Sequence, residues 1–396
     1  MNRHGARNRM RIFHGTLATI LLLASSKPLL ADSTIDYIFG GGRTSNIFKD
    51  TTRLPASFAE AGLSLRGSFD LEETDVAYAV TTRARQVPRY RFADERAAGF
   101  EVGLTRDVGE TVKFTLRGGI EHRQTGDILL ALPGLLLGYR QTDILANAST
   151  GVTIEHAGGK SHLTASLARF GPGKARLTIP DLPRVQLEGG NTLYEVTAGH
   201  IRPLLGGEVG ATVQFRTNRI PGDPQDNFER YPAQNLRGSI AFGRVFGAVT
   251  LLAEVGLVRV ESPQLGTTVD PTRPFLKTEL AWAITDAVVL KGKLSRDIAL
   301  ADIDDPMGED VRTVSLMLET ALTEKLKLSL AFEQAYSDWL TYDYRTRTNA
   351  TTATLTYTLE KGASVALEYS HLVRKETDET ADFKVNGLAA RFQGSF

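Results

Sequence analysis

Charged residues recur at alternate positions in many short stretches of this chain, with small or apolar residues between them. In Thr111–Arg123, Lys113, Arg117, Glu121 and Arg123 alternate with Val112, Phe114, Leu116 and Ile120. An extended strand sends successive side chains to opposite faces, so the charged set shares one side. Carried along the chain, this parity places Arg66, Arg83, Arg85, Glu101, Lys113, Arg117, Glu121, Arg216, Arg237, Glu254, Lys277, Glu279, Lys291, Lys293, Glu319 and Glu368 on one common face. Fixed charges of both signs, interspersed with Ser and Thr, suit the lining of a hydrated passage with no strong preference for cations or anions. The same charges can also pair across a wall and fill its interior, and parity leaves both uses open.

Catalytic chemistry is harder to place. The histidines beyond the N-terminal leader are His122, His156, His162, His200 and His371. His122 and His371 fall on the apolar face near one rim, where the base of an acyl-processing enzyme would sit. Their neighbours Glu121 and Ser370 point the other way, and no nucleophile pairs with them, so no catalytic residue is assigned. The chain has no cysteine, which removes thiol nucleophiles, disulfides and zinc thiolates. It shows no phosphate loop, dinucleotide fingerprint or metal-spaced His/Asp cluster, so neither a cofactor nor a metal is expected. Gly40-Gly41-Gly42 reads as a small-residue stretch of a strand.

The elements that must carry these charges are strands. Ala59–Glu72 is the cleanest: Ala59, Ala61, Leu63, Leu65, Phe69 and Leu71 oppose Glu60, Ser64, Arg66, Ser68, Asp70 and Glu72. Eighteen such stretches can be read, each roughly 10–13 residues long, a length that suits strands tilted across a bilayer. The breaks between them alternate, short then long. Short ones include Glu73-Thr74, His156–Lys160 and Phe246-Gly247, and long ones include Gln124–Gln141 and Phe170–Asn191. The expected fold is therefore all-β, a transmembrane antiparallel up-and-down β-barrel of about 18 strands, with 16 as the alternative. Aromatics near strand ends predict interfacial girdles, with Phe69, Trp282, Tyr357 and Phe396 at one rim and Phe215, Tyr336, Trp339 and Tyr369 at the other. Phe392 and Phe396 close the last strand and predict a C-terminal assembly signal read by the barrel-assembly machinery.

Residues 1–31 predict a secretory signal peptide, with Arg3, Arg7, Arg9 and Arg11 before the apolar run Thr16–Ala24, and 32–396 predict the barrel. Strands that begin this soon leave no room for a plug domain and argue against energy-coupled uptake. Lys and Arg balance Asp and Glu at 46 each, which gives no reason to expect nucleic acid. Two long connections stand out. Asp127–Tyr139 is unusually apolar and could constrict the barrel, extend its wall or meet another protein. In Phe170–Asn191, Leu177–Ile179 and Val185–Leu187 could form a small hairpin lid.

At Thr44-Ser45-Asn46-Ile47-Phe48, just after the first strand, the chain resembles the putative β-barrel porin 2 family of Gram-negative bacteria. The resemblance implies a channel in the outer membrane, in contact with its lipids. Some members are tied to exopolysaccharide export, which implies an exit pore working with a periplasmic polysaccharide-export protein. A general diffusion porin is the alternative, and an outer-membrane lipid-modifying enzyme comes third.

Overall fold

A computed structural model of the chain describes residues 33–396 apart from 133, 180, 188, 220–231, 263–271 and 301–306. The leader expected over 1–31 lies outside the described residues. The wall strands are β1 (Thr34–Thr44), β2 (Ala56–Leu71), β3 (Thr74–Gln86), β4 (Glu95–Val108), β5 (Val112–Leu132), β6 (Leu135–His156), β7 (Gly159–Pro172), β8 (Asn191–Leu204) and β9 (Gly207–Arg219). They continue as β10 (Gln234–Phe246), β11 (Val249–Glu261), β12 (Thr272–Thr285), β13 (Val288–Leu300), β14 (Gly308–Ala321), β15 (Leu326–Trp339), β16 (Arg345–Thr358), β17 (Ser364–Glu376) and β18 (Phe383–Ser395). Each pairs antiparallel with the next, and β1 pairs with both β2 and β18, so the sheet closes on itself as an 18-stranded barrel. Closure leaves no unpaired edge, the condition for a sheet to stand in lipid.

Register shows how the wall is sheared. Phe69, Val76, Leu104, Leu116, Thr150, Ala165, Val196, Phe215 and Leu236 are successive cross-strand partners from β2 to β10. The row starts beside a short turn and ends near the long-loop rim, as strand tilt in a barrel requires. Several of its large side chains and their parity mates are exposed outward: Leu116 keeps 50% of its surface, Phe100 46% and Ile120 53%. Such an apolar band is a liability in water and a fit for lipid. At the short-turn rim the closures are tight. Leu205 and Gly206, between β8 and β9, both take positive φ (56° and 70°), the geometry of a two-residue turn matched to strand twist.

A barrel wall faces outward on one side and its lumen on the other, so its compact apolar cores form elsewhere. Two lie at the long-loop rim, where strand ends meet the long connections. One gathers Ala56, Val87, Tyr90 and Ala93 with Ile47, Phe48, Leu54, Phe92 and Leu136; the other gathers Val258, Val260, Ile298 and Met307 with Leu300 and Leu340. The first absorbs the Thr44–Phe48 motif. Asn46 is 1% exposed, and its Nδ2 donates to the Asp50 carbonyl at 2.5 Å. Ile47 N–H donates to Leu54 O, and Phe48 stacks on Phe92 with centroids 5.5 Å apart. The motif is thus a turn that seats the first long loop.

Three expectations are corrected. Gln124–Gln141 is no open loop: β5 and β6 run on for 21 and 22 residues as a hairpin, with Leu130 opposite Leu137 and Leu132 opposite Leu135. The apolar arms of Asp127–Tyr139 therefore extend the wall. In the next connection, Arg176–Leu177 pairs with Arg140 and Tyr139 of β6, and the suggested hairpin is reduced to one bridge, Ala175 to Val185. Trp339 has inward parity and packs on Tyr344 (4.4 Å) and Tyr342 (6.3 Å), so it is no part of an outward girdle.

The last residue is tied in at the seam. Phe396 and Ile35 exchange both backbone hydrogen bonds, and Tyr37 gathers Phe396 (5.3 Å), Phe392 (5.6 Å) and Phe39 (6.0 Å). Deleting Phe396 is expected to lower the amount of folded, heat-modifiable protein in outer membranes. Unchanged levels would contradict a seam-closing role.

Candidate functional site in the barrel lumen

Hydrogen bonds that leap over intervening strands identify the concave face, because only there do nonadjacent strands approach each other. Arg83 on β3 reaches Glu121 on β5 at 3.1 Å, across β4. Arg216 on β9 and Arg237 on β10 both reach Asp297 on β13, at 3.0 and 3.3 Å. All sixteen charged residues assigned by parity share this face, opposite the exposed large apolar side chains. Phe392 lies outward, with 40% of its surface exposed.

Lumen charges occur in three settings. Arg85 with Glu95 (3.7 Å), Lys277 with Glu279 (3.4 Å) and Lys291 with Glu319 (2.7 Å) are local pairs along the wall. Near the long-loop rim the pairs are better enclosed. Asp143 is buried, takes Arg123 at 3.3 Å and Gln141 Nε2 at 2.9 Å, and Arg123 lies 5.9 Å from the Phe170 ring. Across the lumen, Asp297 holds Arg216 and Arg237; Arg216 also donates to Asn235 Oδ1, and Arg237 lies 4.1 Å from the Phe275 ring centroid. Parity reading missed Asp297, Asn235, Asp143 and Gln141, because it looked for charge alternation within a segment and these sit at segment ends.

The third setting is the seam. Arg391 on β18 donates from Nε to Glu60 on β2 (2.5 Å) and from Nη1 to Glu368 on β17 (2.6 Å). To reach Glu60 it must pass over β1 at Gly40, which is the cross-strand partner of both Arg391 and Glu60. A Cβ at Gly40 would meet Arg391 Cγ at 2.9 Å and the Ala390 carbonyl at 2.7 Å. The bare backbone of the Gly40–Gly42 stretch therefore has a use: it lets one guanidinium clamp four strands.

Between the charges, part of the lumen wall carries small and hydroxyl side chains, while Phe275, Val258 and Met317 face inward elsewhere. Lys113, Thr153, His162, Gly199, Thr212, Ser239 and Gly256 form one continuous row over seven strands. A wall of this strand number encloses more space than its side chains fill. Water and a polar solute can occupy it, exchanging weak hydrogen bonds with Ser and Thr.

One further cluster lies on the outward face at the short-turn rim. Gly158 N–H donates to His156 Nδ1 (3.2 Å), which leaves the proton of this ring on Nε2, facing Ser161 Oγ at 3.3 Å. The Ser161 hydroxyl can then donate to His200 Nδ1 at 3.1 Å, and the two rings stack at 5.3 Å. Pairing of β6, β7 and β8 brings these residues together over 45 positions of sequence, which segment reading could not show. Among the described residues no carboxylate hydrogen bond orients either imidazole, so the arrangement lacks the third member of a hydrolytic triad. His371 is engaged separately, with Nδ1 2.7 Å from Asn386 Oδ1.

The extended β5–β6 hairpin bears on gating. Since strand residues 129–132 and 135–137 continue the wall, removal of 129–137 is expected to leave single-channel conductance in planar bilayers unchanged. A shift in conductance would restore a constricting role.

Known proteins share the architecture. The siderophore receptor PirA of Acinetobacter baumannii superposes with a TM-score of 0.53 at 7% identity, covering 93% of this chain and 81% of that one. A mutant of the ferric enterobactin receptor PfeA of Pseudomonas aeruginosa, in complex with enterobactin, gives 0.51 at 8% identity, covering 93% and 82%. At such identities the likeness concerns the fold alone. No curated protein matches the sequence. The family described as putative beta-barrel porin 2 matches residues 268–394, β12 to β18, so the resemblance read at the N-terminal motif is met over the last third of the chain, in a porin-like outer-membrane β-barrel.

Proposed function

We propose that this barrel is the outer-membrane exit pore for a secreted exopolysaccharide, working with a periplasmic polysaccharide-export protein. The observation that supports it most directly is the character of the lumen. Its charges are largely consumed by one another, and the row from Lys113 to Gly256 offers hydroxyls and bare backbone. A lining of this kind holds no file of counter-ions. It gives a sliding glycan replaceable hydrogen bonds of low individual strength. The long connections meet the cell exterior, and the short turns face the periplasm.

A general diffusion porin for small solutes is the second reading, favoured by the family description itself. Planar-bilayer recordings of the purified protein, paired with polymer secretion by a deletion strain, separate the two. Export predicts low conductance of the isolated barrel and polymer retained in the periplasm of the deletion strain. Constitutive conductance together with undiminished secretion would sink the export reading and leave the porin.

A further inference from the structure

The outward face changes character abruptly near the long-loop rim of β13 to β17. Leu316 and Phe332 are direct partners in the apolar band. One alternation nearer the rim, Leu294, Val314, Gln334, Asn349 and Val373 form the next row, with two amides among apolar side chains. The row beyond is Arg296, Arg312, Tyr336, Arg347 and Lys375, in unbroken register across five adjacent strands. Apolar, amide and cation thus follow one another within a few residues of strand, the order in which a bilayer passes from acyl chains to headgroups.

The acidic partners cover only part of this charge. Asp310 accepts from Arg296 Nε (3.0 Å) and Nη2 (2.5 Å) and from Arg312 (3.3 Å). Asp338 pairs with Arg312 and Arg345, each at 3.1 Å, and exposed Asp343 lies 3.5 Å from Arg345. Arg347 and Lys375 stand directly opposite each other; the Gln334 amide oxygen accepts from Arg347 Nε (3.2 Å) and Nη2 (2.7 Å), but among the described residues neither cation has an ion pair. Like charges in cross-strand register destabilise a sheet, and the arrangement becomes favourable when an anion sits between them. A guanidinium receives phosphate bidentately and a lysine adds a point charge, so the pair suits a phosphate group. With strands about 4.8 Å apart, the row is about 19 Å wide, room for a headgroup carrying more than one phosphate.

We propose that this row is a binding site for a phosphorylated glycolipid of the leaflet surrounding the long-loop rim. Arg347 and Lys375 hold its phosphate, Arg296 and Arg312 flank it, and its acyl chains lie along Leu294, Val314, Leu316 and Phe332. The site rests on the outer-membrane orientation given above, with the long connections outside, but on no assumption about what passes through the lumen. Its occupant belongs to the bilayer, since the apolar rows beneath the cations would have no counterpart in a free anion.

The test is native mass spectrometry of the intact barrel in detergent, offered bisphosphorylated lipid A or its dephosphorylated counterpart. Wild-type protein is expected to retain the phosphorylated lipid at least about tenfold better than the dephosphorylated one. The double variant Arg347→Gln/Lys375→Gln should lose that preference while remaining heat-modifiable. Equal retention of both lipids by wild type would overturn phosphate recognition, and undiminished preference in the double variant would overturn this site. Displacement of the lipid by millimolar inorganic phosphate alone would show a simple anion site and also overturn the proposal. Bilayer conductance of the same variant reports on the lumen separately, so failure of the lipid site and failure of the channel reading are distinguishable.

Discussion

Phe100→Arg and Ile120→Arg are each expected to strip the outer membrane of most folded, heat-modifiable protein, whereas Arg66→Leu and Lys113→Leu assemble at wild-type levels. Phe100 and Ile120 are direct partners on β4 and β5, in the row Leu65, Val80, Phe100, Ile120 that crosses the middle of the wall. Both face outward, and a guanidinium at mid-depth in lipid costs about 2–4 kcal/mol. That is a large share of the stability of an ordinary domain. Phe114 is a poorer choice on the same face, because it lies beside the short turn, opposite Arg106 and Val152, where the cost falls toward the interface. Arg66 and Lys113 face the lumen in exposed pairs with Asp36 (3.9 Å) and Asp107 (3.4 Å), and such pairs contribute little. Heat-modifiability on gels of membrane fractions reads all four variants. Equal assembly of the outward and inward sets would show that the faces are exchanged.

The second large effect belongs to the seam. Arg391→Met should lower the unfolding midpoint in detergent, with a loss on the order of 3 kcal/mol, because Glu60 and Glu368 would be left side by side without their common cation. All three side chains are about a quarter exposed (25%, 23% and 26%), enough enclosure for the loss to be felt. Gly40→Val should do at least as much by another route, since its side chain would occupy the space of the Arg391 stem and press on the Ala390 carbonyl. Combining the two should cost less than their sum, because both remove one interaction. Full additivity would indicate that Gly40 serves backbone pairing alone.

Much of the barrel was legible from residue order. Alternation within Ala59–Glu72 gave β2 its faces, and the sorting of short and long breaks gave every turn its rim. Charge parity put Arg216, Arg237 and Glu254 on the lumen side without reference to any neighbour. The limits were local. Apolar Asp127–Tyr139 had no alternation to follow, so a hairpin that outgrows its neighbours looked like a loop. Trp339 was assigned to a girdle by its place near a strand end, although its parity already pointed inward.

What the sequence determined by itself is a property of single strands: period, length, and which side of each is oily. Those follow from the two-residue repeat of an extended backbone, which needs no partner to be defined. What only the tertiary structure decided is which residues of distant strands meet. Asp297 joins Arg216 and Arg237, Arg391 bridges Glu60 and Glu368, Ser161 falls between His156 and His200, and Arg296, Arg312, Tyr336, Arg347 and Lys375 align in one row. Each depends on register and shear, which closure of the whole sheet fixes at once, and no segment of the chain carries that information alone.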